Sequence, residues 1–459
     1  MYGNWTASDW SRGAGATLVG NSQVLKSVKD FTNDSRKVGD RSLFIALKGE
    51  NVDGHEFVLS SLNAGVLGAL VSQKWFQEQN LDMGKFPQSC LLVVRDPLWA
   101  LNDLAAFRIS KDLSQVKRIG ITGSNGKTTT KEIVKTLLVA GGKKVFATEG
   151  NFNSEIGLPI MVLKTPRDTE YAIYEMGMNH GGEMDLLVRS CRPDLGVVTN
   201  VGRAHVGLLG SQDAIAFEKR KVLYTASHAV IWAQDPYKDF LLGGFSGTVS
   251  TFTSTSLEKM TNLGLEGYAF QHRGQDFHIP LPGRHNLENA LAALEVGEWA
   301  GLSWTVLAQG LAQVVPSFGR SEIIHGPITI IQDCYNANLD SMEGLIEFFA
   351  DIPWPQGRKF LVLGSMKELG SETETHHRQL GNLAAGSGAG GIWFFGDETR
   401  ISYEACLKAG TPAQWFISMD EMILDVKKVL VPGDLLAVKG SRGVELERLI
   451  KKIKQEGLD

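Results

Sequence analysis

Gly120-Ile-Thr-Gly-Ser-Asn-Gly-Lys-Thr-Thr-Thr130 is the stretch on which the reading of this chain turns. Before it, Arg118 to Thr122 reads as a short buried strand; after it, Ile133, Val134, Leu137 and Leu138 recur at helical spacing until Gly141-Gly142 stops them. A glycine-rich loop between a strand and a helix suits phosphate, because backbone N–H groups can approach its oxygens and the helix N-terminus adds positive potential. Gly123, Ser124, Asn125 and Gly126 would form the cradle, followed by Lys127, Thr128 and Thr129. Lys127 would neutralise charge on a transferring phosphoryl group, and the Thr128 hydroxyl suits Mg²⁺. The eight-residue form of this loop requires Gly where Ile121 stands, so the segment is a variant of it.

Outward from the loop, YAIYEMG, LGVVTNVG and AVIWAQ are short apolar runs separated by helix-length segments, which predicts a parallel sheet with helices on its faces. The Thr/Ser-rich stretch Thr248 to Ser256 and the alternation YAFQHRGQDFHI read as a β appendage before a helix at Leu287 to Trp299. From about Ser317 a further alternation begins (ITIIQD, KFLVLG, GIWFFG, AQWFIS, DLLAVKG), and five such units fit a second nucleotide-binding type of sheet. Before residue 115, SLFIAL, VLGALVS and LLVVRD predict a smaller α/β unit. The fold class expected is α/β in three domains, divided as 1–113, 114–316 and 317–459, and 459 residues are too many for one ordinary core.

Bulk properties narrow the function class. A formal charge of −5 with mixed signs leaves no polybasic footprint for nucleic acid. No apolar run nears the roughly 18 residues of a membrane span, and MYGNWTASDW lacks the basic start and apolar stretch of a secretory signal. A cytoplasmic protein is expected. Its four cysteines, Cys90, Cys191, Cys334 and Cys406, show neither metal-site nor disulfide spacing, and are expected to be reduced and buried.

Further segments carry chemistry: Gly150-Asn-Phe-Asn-Ser-Glu-Ile-Gly157, Glu175-Met-Gly-Met-Asn179, Asn200-Val-Gly-Arg-Ala-His205, Gly283-Arg-His-Asn-Leu-Glu-Asn289, Phe318-Gly-Arg320, Asp333-Cys-Tyr-Asn-Ala-Asn338 and Lys439-Gly-Ser-Arg442. Glu175 and His205 end predicted strands, so a carboxylate and an imidazole could meet near a γ-phosphate; either alone reads more readily as a capping Glu or a core His, and it is the constellation that favours the site. His285, Asn286 and Asn289 begin a helix, where an imidazole can stack and an amide can read adenine edges, although a helix N-cap explains Asn286 as well. Asp34, Ser35 and Arg36 form a polar turn suited to uracil or diphosphate, with Lys48 and His55 nearby, although a capped turn with a solvated arginine would look the same. Lys439, Ser441 and Arg442 follow a strand, where a peptide carboxylate could be held; an exposed basic loop accounts for them about as well.

In this order and spacing the segments resemble the Mur ligase and folylpolyglutamate synthetase superfamily over nearly the whole chain. Thr32 to Phe57 is similar to the uridine-nucleotide domain of its cell-wall members, while EMGMNHGGE and DCYNANLDSM resemble the branch that adds D-alanyl-D-alanine. The resemblance implies a small UDP-binding domain, a central ATPase domain and a C-terminal Rossmann-like domain. It also implies ATP-dependent ligation of D-alanyl-D-alanine to a UDP-N-acetylmuramoyl-tripeptide by a monomer, with Mg²⁺. Implied ligands of the metal are Thr128, Glu175, His205 and Lys219, the last as a carbamate; Lys127, Glu175, His205 and Lys219 form the implied catalytic set. Arg320 and Asp333 would reach ATP, an interdomain salt bridge being the plainer reading of the pair. Asn151, Asn153, Asn179, Tyr335, Asn336 and Asn338 would line the substrate side. The chain departs from the pattern at Ser154 (usually Asn), Leu339 (Pro), Ser365 (Asp) and Lys221 (acidic), and a cation at 221 would either lower the pKa of Lys219 or crowd it. The competing classes are another ligase of the superfamily and a P-loop switch ATPase, which would need neither acceptor nor amine.

Overall fold

The computed structural model describes residues 2, 4–49 and 51–456. The first sheet runs in the order Thr17–Gly20, Cys90–Val94, Gly68–Ser72, Ser42–Ile45, Asp30–Thr32, parallel except for its first strand. The three runs expected to be strands form its centre. They are apolar without alternation because both faces are covered, one by Trp10, Leu25 and Leu101 and the other by Val58, Leu62 and Val66. Asp96 then caps a 16-residue helix, Pro97–Asp112, accepting from the N–H groups of Leu98 and Trp99 with Pro97 in its first turn.

That helix leads to Lys117–Thr122, the central strand of a six-stranded, all-parallel sheet ordered Thr248–Phe252, His228–Trp232, Leu195–Val198, Lys117–Thr122, Tyr171–Glu175, Val145–Ala147. Thr248–Phe252 is thus the sheet's edge strand, and not part of the appendage assigned to it above: Thr248 and Thr251 are exposed, Ser250 pairs with His228 of the next strand, and Phe252 reaches the core. The appendage is the antiparallel set Lys259–Asn262, Tyr268–His272, Gln275–Ile279. The loop helix spans Lys127–Ala140 and ends at Gly141, and the later helix begins at Arg284, three residues earlier than its apolar pattern indicates.

The third sheet is ordered Glu322–Ile324, Thr329–Asp333, Leu435–Lys439, Lys359–Gly364, Gly391–Phe395, Ala413–Phe416. Its five parallel strands are the five expected units; the antiparallel edge strand Glu322–Ile324 is too short to leave a period in the sequence. All four cysteines are free and buried. Among the described residues no helix is long and apolar enough to cross a membrane.

The first and second sheets share one core. Tyr2, Trp5 and Trp10 belong to the same apolar cluster as Leu163, Tyr174 and Leu187, and the Tyr2 hydroxyl donates to the Leu163 carbonyl at 2.6 Å. Within this seam lies a fully buried cation, Arg108, paired with Asp112 and lying 4.7 Å from the Tyr2 ring. Asp112 also accepts from Trp5 Nε1 at 2.7 Å and from Arg167 at 2.8 Å. Asp112→Ala would strand a buried guanidinium, so we expect a loss of about 3–5 kcal/mol. It should be read as a lowered urea midpoint in the first unfolding transition followed by intrinsic fluorescence; an unchanged midpoint would remove the seam as a source of stability.

Candidate active site

The central strand has neighbours on both sides that continue the chain in opposite directions, the place in a parallel sheet where ligands bind. Three carboxyl ends meet there. The loop after Thr122 is laced to the segment after Val198: Ser124 N–H donates to Asn200 O at 3.0 Å, Asn125 N–H to Asn200 Oδ1 at 3.0 Å, and Thr199 Oγ1 to Asn125 O at 2.5 Å. Gly123 (φ +155°) passes so close to Thr199 that a Cβ would stand 1.8 Å from its hydroxyl oxygen. Lys127 Nζ folds back to Gly123 O at 2.7 Å, and desolvation lowers its pKa, with Arg320 adding to the fall and Glu175 opposing it.

Glu175 ends the neighbouring strand almost fully buried. Its carboxylate accepts from Thr128 Oγ1 and from Asn153 Nδ2, both at 2.9 Å, and Lys131 Nζ stands 3.7 Å away. Thr148 ties the group together, its hydroxyl accepting the Glu175 N–H at 3.0 Å and its carbonyl accepting Lys131 Nζ at 2.8 Å. The paired oxygens of Thr128 and Glu175 are hard donors of the kind Mg²⁺ takes. Among the described residues no three His, Cys, Asp or Glu side chains group as a ready metal cage.

Lys219 is 1% exposed and no side-chain hydrogen bond engages its Nζ among the described residues. Desolvation sets its pKa well below the usual lysine range, and Lys127 adds to the fall against a smaller rise from Asp235. Lys221 has neither of the effects on it considered above: its ammonium turns away to Asp185 and Glu218, each at 2.7 Å. Those carboxylates outweigh its burial and raise its own pKa.

The third sheet delivers a second set of loops to the same cleft. Asn338 caps the helix Leu339–Asp351 and exchanges amide hydrogen bonds with Asn125, the better at 2.8 Å. Asp340 accepts from the N–H and the guanidinium of Arg203 at 2.7 and 2.6 Å, and Glu368 approaches His205 Nδ1 at 2.9 Å. The His205 contact also lowers the Glu368 pKa. Arg320 stacks on Tyr335 at 4.2 Å. Asp333 pairs with Lys439 at 2.6 Å rather than with Arg320; burial pushes its carboxyl up, but Lys439 more than offsets this and its pKa is lowered. His285 lies 3.4 Å from Ser321 Oγ, and desolvation lowers its pKa.

These groups enclose a cavity of about 1790 Å³. It is lined by the loop Ser124 to Thr129, by Asn151, Asn153, Glu175, Asn179 and His205, by His285, Asn286 and Asn289, and from the third sheet by Arg320, Asp333, Tyr335, Asn336, Asn338, Lys439, Ser441 and Arg442. Some of these are occupied with the protein itself. Asn286 donates to Pro282 O and accepts from Asn289, which in turn accepts from Thr130; Gly283, not Asn286, is the N-cap. Ser441 Oγ accepts the Lys367 N–H, while Arg442 reaches Glu447 but stays half exposed.

No residue of the first sheet's unit lines the cavity. Asp34 holds Arg36 through a 2.8 Å contact, and that hydrogen bond sets the Asp34 pKa at about 2; Ser35 lies in the turn between them, and Lys48 is exposed. His55 has both ring nitrogens engaged, Nδ1 with Asp53 at 2.7 Å and Nε2 accepting from Ser72 N–H at 3.0 Å, so it braces its loop and has no nitrogen left for a ligand. Residues the sequence reading did not single out include Lys131, Thr148, Thr199, Arg203 and Glu368. Only Lys131 leaves a local signal, a lysine on the apolar face between Thr130 and Val134.

Comparison with known proteins agrees with this geometry. The Mur ligase middle domain matches residues 121–297, and the Mur ligase glutamate ligase domain matches 319–442. A UDP-N-acetylmuramoyl-tripeptide–D-alanyl-D-alanine ligase of Treponema pallidum is 37% identical over 92% of this chain and 93% of its own. Crystal structure I of MurF from Acinetobacter baumannii superposes with a TM-score of 0.86 at 28% identity, covering 98% of both chains. MurF ligase from Thermotoga maritima in complex with ADP gives 0.81 at 26% identity, over 94% of this chain and 98% of its own.

Gly126 (φ +82°) tests the loop directly, since a Cβ there would stand 2.2 Å from Asn289 Oδ1. Gly126→Ala should cost about 1–3 kcal/mol of loop geometry, seen as ADP affinity weakened about 10- to 100-fold with the circular dichroism spectrum unchanged. Undiminished ADP affinity would separate this loop from nucleotide binding.

Proposed function

The chain belongs to the Mur ligase family, and from that premise we propose that it joins D-alanyl-D-alanine to a UDP-N-acetylmuramoyl-tripeptide at the expense of ATP, making a peptidoglycan precursor. One observation carries the reading. The cavity of about 1790 Å³ exceeds the roughly 300–1,000 Å³ of a single-ligand pocket and is walled by a phosphate loop on one side and by Arg320, Lys439 and Arg442 on the other. A switch ATPase needs room for a nucleotide alone; a ligase needs room for a nucleotide and two further reactants.

In this reading residues 1–113 hold the UDP end through the Asp34-Ser35-Arg36 turn, 114–316 hold ATP, and 317–459 complete the site. The tripeptide's terminal carboxylate attacks the γ-phosphorus of ATP; an O–P bond forms, the bond to the bridging oxygen breaks, and ADP leaves. Lys127 and Arg320 stabilise the negative charge that accumulates on the transferring group. The neutral amine of D-alanyl-D-alanine then attacks the acyl carbon, and the tetrahedral intermediate expels phosphate with loss of the amine's proton. No side-chain nucleophile is required, and enclosure by the third unit excludes water that would hydrolyse the acyl phosphate. Thr128, Glu175, His205 and Lys219 as its carbamate would hold Mg²⁺, which would screen the phosphate oxygens from the incoming carboxylate. Only the neutral amine of a lysine reacts with CO₂; burial and the neighbouring Lys127 lower the pKa of Lys219 and so favour that form, and the product would set an anion beside Lys127.

Two measurements test this. Hydroxylamine supplied with ATP and UDP-tripeptide, without dipeptide, should yield a tripeptide hydroxamate, while Lys127→Ala should lower its formation by several orders of magnitude in a folded protein; ADP release independent of the tripeptide would return the chain to the switch class. Carbon-13 bicarbonate should give a carbamate resonance in the wild type that is missing from Lys219→Ala and fades as the pH is lowered and the amine is protonated. An identical resonance in the variant would place the carbamate elsewhere.

A further inference from the structure

We propose that Glu368, on the loop after the third sheet's strand Lys359–Gly364, is a positioning residue for His205, so that the imidazole is set for its ligand only when the third unit is docked. This rests on the reading above, in which His205 belongs to the metal site.

The geometry is unusual on both sides of the interface. His205 (φ +65°) and Glu368 (φ +64°) both adopt the left-handed conformation, uncommon for residues with a side chain and characteristic of places where surrounding structure holds the backbone against strain. They face each other at 2.9 Å. Nδ1 of His205 is buried and forms no hydrogen bond within its own unit, and the Glu368 carboxylate stands 2.9 Å from it. An imidazole that gives Nδ1–H to a carboxylate presents Nε2 as its unprotonated, ligating nitrogen with its orientation fixed.

The approach is set by backbone rather than by the flexible glutamate. Gly207 lies against the third unit so closely that a Cβ on it would stand 2.4 Å from the Leu369 carbonyl carbon and 2.7 Å from Glu368 O, and Gly370 lies against Gly207 in turn. The loop bearing Glu368 is itself pinned, Met366 N–H donating to His377 Nε2 at 3.1 Å and Lys367 N–H to Ser441 Oγ at 3.0 Å. Separation of the units therefore removes the carboxylate from the imidazole as a rigid piece. Docking and orientation of His205 become one event, which links nucleotide-site assembly to enclosure of the reactants.

The test is the Mg²⁺ concentration at which binding of a non-hydrolysable ATP analogue tightens half-maximally, followed by calorimetry on the full chain. Glu368→Ala should raise it about tenfold or more, as should His205→Ala, with affinity in the absence of Mg²⁺ unchanged. The double variant should be no worse than either single one, because both remove the same interaction. Glu368→Asp should recover most of the loss. Gly207→Ala, which touches neither side chain and forces the units apart, should reproduce the Glu368→Ala effect. If His205→Ala raises the requirement while Glu368→Ala leaves it within about twofold, or if the two effects add, the proposal is overturned and the metal-site reading stands. If His205→Ala itself has no effect, the metal-site reading fails and takes this proposal with it.

Discussion

Two parallel sheets deliver the loops at their carboxyl ends to a single cleft, and everything at the site follows from having to bring so many polar backbone ends together without burying them unpaired. The amide exchange between Asn125 and Asn338 is the centre of that arrangement. Asn125 belongs to the phosphate loop and Asn338 caps a helix of the third unit, so one pair of side chains sets both the loop's outer edge and the distance between the sheets. Around it, hydrogen bonds from Thr199, Asn200 and Ser124 satisfy loop groups that would otherwise be costly to enclose.

Charge in the cleft is distributed to favour an anionic guest. Lys127, Lys219 and Arg320 lie close enough for Lys127 to be depressed by Arg320 and Lys219 to be depressed by Lys127, while the carboxylates that could neutralise them are held apart, Glu175 by Thr128, Asn153 and Lys131 and Asp333 by Lys439. A polyphosphate relieves the repulsion among these cations. The same crowding acts on Lys219: desolvation and the neighbouring Lys127 ammonium both lower its pKa, against a smaller opposing effect of Asp235.

The large-scale architecture was legible because parallel strands buried on both faces leave uninterrupted apolar runs, and every run quoted from the three sheets became a strand. What was not legible depended on pairing across long sequence distances. Thr248–Phe252 is Thr/Ser-rich like an exposed appendage strand, and only its parallel register with His228–Trp232 places it in the main sheet. Residues with local chemical signatures, such as Lys127, Glu175 and His205, reached the cavity, whereas Glu368 and Arg203 sit there through contacts with partners more than a hundred residues away. His55 had the composition of a ligand contact but is occupied on both nitrogens by its neighbours, which no spacing reveals.

The two interfaces of the middle unit differ in kind, and the difference bears on how the molecule works. Against the first unit it shares a continuous apolar core containing Tyr2, Trp5 and the enclosed Arg108, all 0% exposed, so separating them would expose a large apolar area and an ionised group together. Against the third unit it makes amide pairs and ion pairs that remain partly open to solvent, Arg203 at 36% and Asp340 at 26%, whose loss water largely compensates. The connection between the middle and third units carries exposed Val315 and Phe318, after which Gly319 and Ser321 are already hydrogen-bonded to Tyr335 and Asp333 of the third unit. Motion is therefore directed to the third unit. The first unit stays fixed relative to the phosphate loop, and opening at the third unit changes access to the cleft.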